Sequence, residues 1–410
     1  MEFELFTLPN GIRVIHKPVE SPVAHLGVIL NAGSRDETDK ESGIAHLIEH
    51  CIFKGTTRRK AFHVLSRLDD VGGDLNAFTT KEDTCIFASF TSQYYERAIE
   101  LISDIIFNSS FPDKEIEKEK EVVVDEINSY KDNPSDEIFE EFEELMFADH
   151  PLGARITGTP ESVKSFSRKQ ILSFVKKHYF RRDMVISSVG TINISKLKAM
   201  LTEHFGQFTM SAASNHRIPF ADYKPFEKKV KRNNHQSHCI IGNLAYSLDH
   251  ELKTPMFLLS NVLGGPGLNT RLNLNIREKY GFCYNIEASY TPYSDGGMFS
   301  VYLGTDDSYL DRSINLVHKE LRKLRKERLG TLQLHKAKQQ LLGQIAIAQE
   351  TNANEMLSIG KSLLVYDKVD TFKEIRERIE AVSAEQMLTV ANEVFDSGQL
   401  STFVYELAEK

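Results

Sequence analysis

What most constrains this chain is the order of its patterned segments, which runs once before residue 211 and again after residue 225. The first half opens with strand-like stretches at 3–8, 12–16 and 25–30, the first two joined by an Asn10-Gly11 hairpin turn. A helix at 43–53, an alternating stretch at 84–90 and a helix at 93–107 follow. A long helical run then goes from Pro112 to about Phe147, broken at Asn133-Pro134. A further helix, a strand at 185–189 and a helix ending near Phe208 complete this half. Residues 211–225 hold two prolines and few periodic apolar positions, which makes them the linker. The plan then returns: strands at 228–231 and 239–243, helices at 252–263 and 270–280, strands at 284–290 and 299–303, helices from 308 to about 393, and a strand at 402–406. Strands and helices mix without strict βαβ alternation. The expected class is therefore α+β, with two structurally similar domains, each a mostly antiparallel sheet packed with helices. The boundaries are 1–210 for the first domain and 226–410 for the second, and 410 residues exceed what one ordinary core accommodates.

Composition removes several classes of function. A net charge of −8 argues against nucleic acid as a partner, and the basic run Lys228-Lys229-Val230-Lys231-Arg232 is too short to form a phosphate-binding stripe. The four cysteines, Cys51, Cys85, Cys239 and Cys283, include no CxxC pair, which argues against a disulfide framework and a cysteine-built zinc site. The N-terminus has no basic stretch followed by an apolar one, and no apolar run approaches the roughly 20 residues of a spanning helix. The expectation is a cytoplasmic protein with no membrane partner.

The chemistry-bearing motif is His46-Leu47-Ile48-Glu49-His50. On a helix, residues four apart lie one turn above each other on one face, so His46 and His50 can reach one ion. Glu49 sits beside that face, where a carboxylate can take a proton from a metal-activated water. The order is the inverse of H-E-x-x-H. A catalytic zinc site needs a third protein ligand. Glu126 lies 76 residues after His50 and two helical turns beyond Glu119, so one can ligate while the other supports a ligating histidine. Spacing alone does not choose between them, nor does it exclude Glu121 or Asp125.

These residues resemble the pitrilysin/insulinase family of inverted zincin metallopeptidases, and within it the short bacterial members similar to the β subunit of mitochondrial processing peptidase. The resemblance covers nearly the whole chain. It runs through Leu8-Pro9-Asn10-Gly11, Gly33-Ser34-Arg35-Asp36-Glu37, Gly43-Ile44-Ala45-His46, Phe53-Lys54-Gly55-Thr56, Gly72-Gly73-Asp74-Leu75-Asn76-Ala77-Phe78-Thr79 and the stretch from Glu119 to Ile127. It continues in Gly158-Thr159-Pro160-Glu161, Thr270-Arg271-Leu272 and the stretch from Ile276 to Tyr284. The resemblance implies a Zn2+ cofactor held by His46, His50 and Glu126, with Glu119 supporting a ligating histidine and Glu49 as general base. It implies that Arg277 and Tyr284, from the second half, hold the substrate and its developing oxyanion. It also implies that Asn76 and Ala77 bind extended peptide at a sheet edge, whereas the residues by themselves read as a turn after Gly72-Gly73. The implied assembly is a homodimer closing as a clamshell, its active site shared between chains, around a chamber that admits short or unfolded peptides. Within the same resemblance lie two other roles, a non-catalytic scaffold or partner subunit and a narrow presequence-processing protease.

Other residues receive plainer readings. Cys51 points about 100° from His50 and reads as core. His235 and His238 read as opposite faces of a strand. His63, His150, His178, His204 and His250 read as surface or hydrogen-bonded residues. The segment Leu263-Gly264-Gly265-Pro266-Gly267 reads as a loop before the Arg271 helix, and it lacks the Lys-Ser/Thr of a phosphate loop.

Overall fold

The computed structural model describes residues 2–408. Two sheets carry the architecture. The first has six strands: β1 (Glu4–Thr7), β2 (Arg13–Pro18), β3 (Val23–Leu30), β4 (Asp74–Thr79), β5 (Thr84–Thr91) and β6 (Met184–Gly190), in the order β1-β2-β6-β3-β5-β4. The second has five: β7 (Glu227–Arg232), β8 (Ser237–Ala245), β9 (Cys283–Pro292), β10 (Gly297–Thr305) and β11 (Ser401–Leu407), in the order β7-β11-β8-β10-β9. Without β1, the two orders match strand for strand, including the direction of every pairing. Each sheet is antiparallel except for one parallel pair, β2 with β6 and β7 with β11. The last strand of each half is thus inserted between two early strands of that half.

The chain divides into two compact units, and the division differs from a single cut at the linker. Residues 1–129, 154–217 and 347–371 form the first unit; residues 130–153, 218–346 and 372–410 form the second. Each sheet has both faces covered, and in each unit one cover comes from the other half of the sequence. In the first unit, helices Ile44–Cys51, Tyr95–Asn108 and Arg168–His178 contribute Ile48, Ile102 and Phe174 to one core. The opposite face of that sheet packs Ile15, Val185 and Val189 against Met356, Ile359 and Leu363 of helix Asn352–Tyr366. In the second unit, helix Pro134–Met146 places Ile138 and Phe142 against Ile240 and Phe403. Covered on both faces, β6 is buried along its whole length, including Ser187 and Ser188, while the edge strand β4 is not.

Close approach fixes the borrowed helix. A Cβ on Gly360 would lie 2.7 Å from the Cβ of Ser187, so only glycine lets helix and sheet meet there. Lys17 pairs with the buried Glu355 at 2.7 Å, and the Ser187 hydroxyl donates to the Met356 carbonyl at 2.6 Å. Burying three large side chains there stabilises the unit by about 1.5–3 kcal/mol for each.

Three local expectations change. Residues Asp74–Thr79 form a strand rather than a turn. His235 lies in the bend before β8, and His238 is buried with Nδ1 2.9 Å from the Tyr302 hydroxyl. His178 is neither exposed nor hydrogen-bonded among the described residues: it is buried against the Phe174 ring, and burial pushes its pKa down to about 3. Cys51 is core, and all four cysteines are free and buried. No helix among the described residues is long and apolar enough to cross a membrane.

Candidate active site

The motif lies on helix Ile44–Cys51, whose apolar residues Ile44, Leu47, Ile48 and Cys51 are buried. That leaves His46, Glu49 and His50 toward one side. The helix begins at Gly43, at φ +90°, where a Cβ would stand 2.7 Å from the Thr157 carbonyl oxygen and 2.8 Å from Gly158 Cα. Its first amides are not capped by Gly43. Instead the buried Glu37 carboxyl accepts from the Gly43 and Ala45 amides, each at 2.8 Å. Burial raises the pKa of Glu37 well above the usual carboxyl value, and the two amides act against that rise.

Helix Asp113–Lys131 runs beside it and presents Glu119 and Glu126, seven residues apart, on one face. The Oε2 of Glu126 lies 3.2 Å from Nε2 of His50 and 3.7 Å from Nε2 of His46. Ligand atoms of these three residues all lie within 4.8 Å of one another. Donors about 2.1 Å from a tetrahedral zinc ion stand about 3.4 Å apart, so the observed separations bracket what such an ion requires. Two imidazoles and one carboxylate are also the donor set of a catalytic zinc site with an open position. The geometry therefore fits zinc. Burial, and then the neighbouring His50, push the pKa of His46 down to about 4, which keeps it neutral and able to donate a lone pair.

The histidines are held in different ways. Nδ1 of His50 faces Oε2 of Glu119 at 3.5 Å, and Oε1 of Glu119 is in turn paired with Nζ of Lys54 at 2.9 Å. A carboxylate at Nδ1 favours the tautomer that frees Nε2 for a metal. His46 has no such brace among the described residues: its Nδ1 is buried without a hydrogen-bond partner, and its ring packs edge-on against His50, centroids 4.8 Å apart. Glu49 is partly buried. Burial raises its pKa, while a hydrogen bond from the Thr79 hydroxyl, at 2.6 Å, acts against that rise.

The first unit thus brings together His46, His50, Glu126, Glu119 and Glu49. Asn76 and Ala77 lie in the same unit on β4, which among the described residues pairs only with β5. Asn76 is exposed, and its Oδ1 accepts from the Ala77 amide at 2.8 Å. Arg277 and Tyr284 belong to the second unit. Arg277 lies in a π-helical segment, Asn273–Glu278, with its guanidinium 3.3 Å from Oδ1 of Asn273. Tyr284 is on β9 and 82% exposed, so its phenol is available to a ligand.

Glu37, Lys54 and Thr79 were absent from the sequence-derived site. Glu37 has no periodic signal, because a loop carboxyl reaching two amides is a tertiary contact. Lys54 looks like a solvated residue just after a helix. Thr79 had a latent signal: once 74–79 is a strand, Leu75, Ala77 and Thr79 share the face turned to the motif helix.

Two family models match the chain in succession, and their break falls inside the first unit. The model of Insulinase (Peptidase family M16) matches residues 13–160, and that of the Peptidase M16 inactive domain matches 165–341. The chain is 30% identical over 392 residues to the uncharacterized zinc protease YmxG of Bacillus subtilis, covering 95% of both chains. It is 32% identical to an uncharacterized zinc protease of Rickettsia felis, covering 98% of this chain and 97% of that one. Among solved structures, a peptidase M16 inactive domain from Pseudomonas fluorescens superposes with a TM-score of 0.93 at 19% identity, over 100% of this chain and 98% of that chain. A protease from Helicobacter pylori superposes with a TM-score of 0.89 at 21% identity, over 98% and 99%. With both family models in chain order and relatives matched along nearly their full lengths, the chain belongs to the insulinase family of peptidases, M16.

Proposed function

We propose that this chain is a zinc-dependent endopeptidase acting on short or unfolded peptides. The observation that carries the reading is the triangle of His46 Nε2, His50 Nε2 and Glu126 Oε2 with Glu49 on the same helix turn. The names of the relatives, zinc proteases, support it. Bound zinc would supply Lewis acidity, polarising a peptide carbonyl and lowering the proton affinity of a water molecule. His46, His50 and Glu126 would hold the ion, with Glu119 aligning His50. Glu49 takes a proton from the attacking water as the new C–O bond forms, and delivers it to the amine as the C–N bond breaks.

Substrate would lie extended along the outer edge of β4, which has no strand partner in this sheet. The Ala77 amide, now satisfied by Asn76, is a donor such a peptide can use, and backbone pairing tolerates many sequences. Arg277 and Tyr284 would bind substrate and oxyanion, contributed to the zinc site of a second copy in a homodimer. The exposure of Tyr284 supports that role. The four free, buried cysteines fit a reducing compartment, and we place the protein in the cytoplasm.

The test of the chemistry compares wild type with Glu49→Gln for metal content and peptide cleavage. About one zinc per chain in both, with kcat lower by at least ~100-fold in the variant, is expected. Full turnover by the variant removes Glu49 from the base role, and a wild type that binds zinc but cleaves nothing removes the peptidase reading. For the assembly, a His50 variant is mixed with a Tyr284 variant after confirmed subunit exchange. Recovered cleavage is expected; none despite exchange rejects sharing between chains.

A further inference from the structure

The Glu49 carboxylate is tied to the fold through Thr79, which reaches it with its hydroxyl and with its backbone amide. Oε2 accepts the Thr79 hydroxyl at 2.6 Å. This is a short, charge-assisted distance for O–H···O. On the peptidase reading, Oε1 would face the attacking water. Thr79 is the last residue of β4, on the face shared by Leu75 and Ala77, and both of those pack against the core beneath the motif helix. The pairing Thr79↔Thr84 anchors the end of the strand to β5. The hydroxyl is therefore held by a strand on one side and reaches a helix on the other.

A glutamate on a surface turn of a helix has three rotatable bonds, and in solvent it samples many positions. General-base catalysis requires one of them, within hydrogen-bond reach of the attacking water. Glu49 is only partly buried, so helix packing by itself does not select the position of its carboxylate. Among the described residues, the side-chain hydrogen bond to this carboxylate comes from the Thr79 hydroxyl, beside a contact from the Thr79 backbone amide.

We infer that Thr79 is a positioning residue for the general base: its hydroxyl locks one carboxylate oxygen of Glu49 so that the other faces the attacking water. The inference rests on the peptidase reading above and adds a residue to it. Valine is nearly isosteric with threonine and keeps the β-branch that suits a strand, so Thr79→Val removes the hydroxyl and little else. Serine keeps the hydroxyl.

The experiment measures kcat, KM, zinc content and Tm for wild type, Thr79→Val, Thr79→Ser and the pair Thr79→Val with Glu49→Gln. The expected result for Thr79→Val is a kcat about 10- to 100-fold lower, with KM, zinc content and Tm close to wild type. Thr79→Ser recovers most of that loss. In the Glu49→Gln background the same valine has little further effect, because the hydroxyl works through the base it orients. A Thr79→Val protein with kcat within twofold of an active wild type overturns the inference. Loss of zinc or a large fall in Tm alongside kcat also overturns it, since the hydroxyl would then serve the site's integrity. An inactive wild type with zinc bound overturns the peptidase reading itself, and the positioning role with it.

Discussion

At the scale of single residues, the site depends on carboxyls whose neighbours decide their tasks. Glu119 and Glu126 share a helix face, yet one lies against two Nε2 atoms and the other between Nδ1 of His50 and the Lys54 ammonium. Spacing could not separate them, because both are equally able to turn toward the histidines. Lys54 separates them by fixing Glu119 from behind. Replacing Lys54 with Met should free that carboxylate and weaken zinc binding by about tenfold, while Arg should hold most of the affinity. Competition with a zinc chelator measures this, and unchanged affinity in the Met variant would show that Glu119 needs no such partner.

At the scale of elements, the motif helix is short and depends on its N-terminal cap. Its eight residues fall well below the length at which a helix is stable alone, so packing and caps must hold it. Glu37 satisfies two of its first amides at 2.8 Å each. Glu37→Gln would turn an NH2 group toward one of those amides, donor facing donor. The expected cost is about 1–3 kcal/mol, read as a lower urea midpoint. A midpoint equal to that of wild type would mean that the surrounding core alone fixes the helix. β4 belongs to the same scale. The Gly72-Gly73 pair before it and its own polar residues read as a turn, and pairing with β5 overrides that local preference.

At the scale of the whole molecule, each unit is completed by a helix from the other half of the sequence. Helix Asn352–Tyr366 covers Ile15, Val185 and Val189, and helix Pro134–Met146 covers Ile240 and Phe403. A fragment of residues 1–225, which respects the apparent linker, should therefore not fold cooperatively, since it leaves one sheet face bare. Adding the peptide 347–371 should restore a cooperative transition by circular dichroism. A fragment that unfolds cooperatively by itself would show that the exchanged helix is dispensable.

The sequence by itself determined what depends on local spacing. His46, Glu49 and His50 come together because 3.6 residues per turn places them so, and the alternating apolar runs mark most strands. It also carried the repeated order of elements, from which two related sheets followed. Tertiary structure decided which acidic residue meets the two histidines, which hydroxyl bonds the Glu49 carboxylate, and which helix closes each sheet. Those choices are made between residues tens to hundreds of positions apart, by burial and by the pairing of polar groups removed from water, and no local periodicity records them.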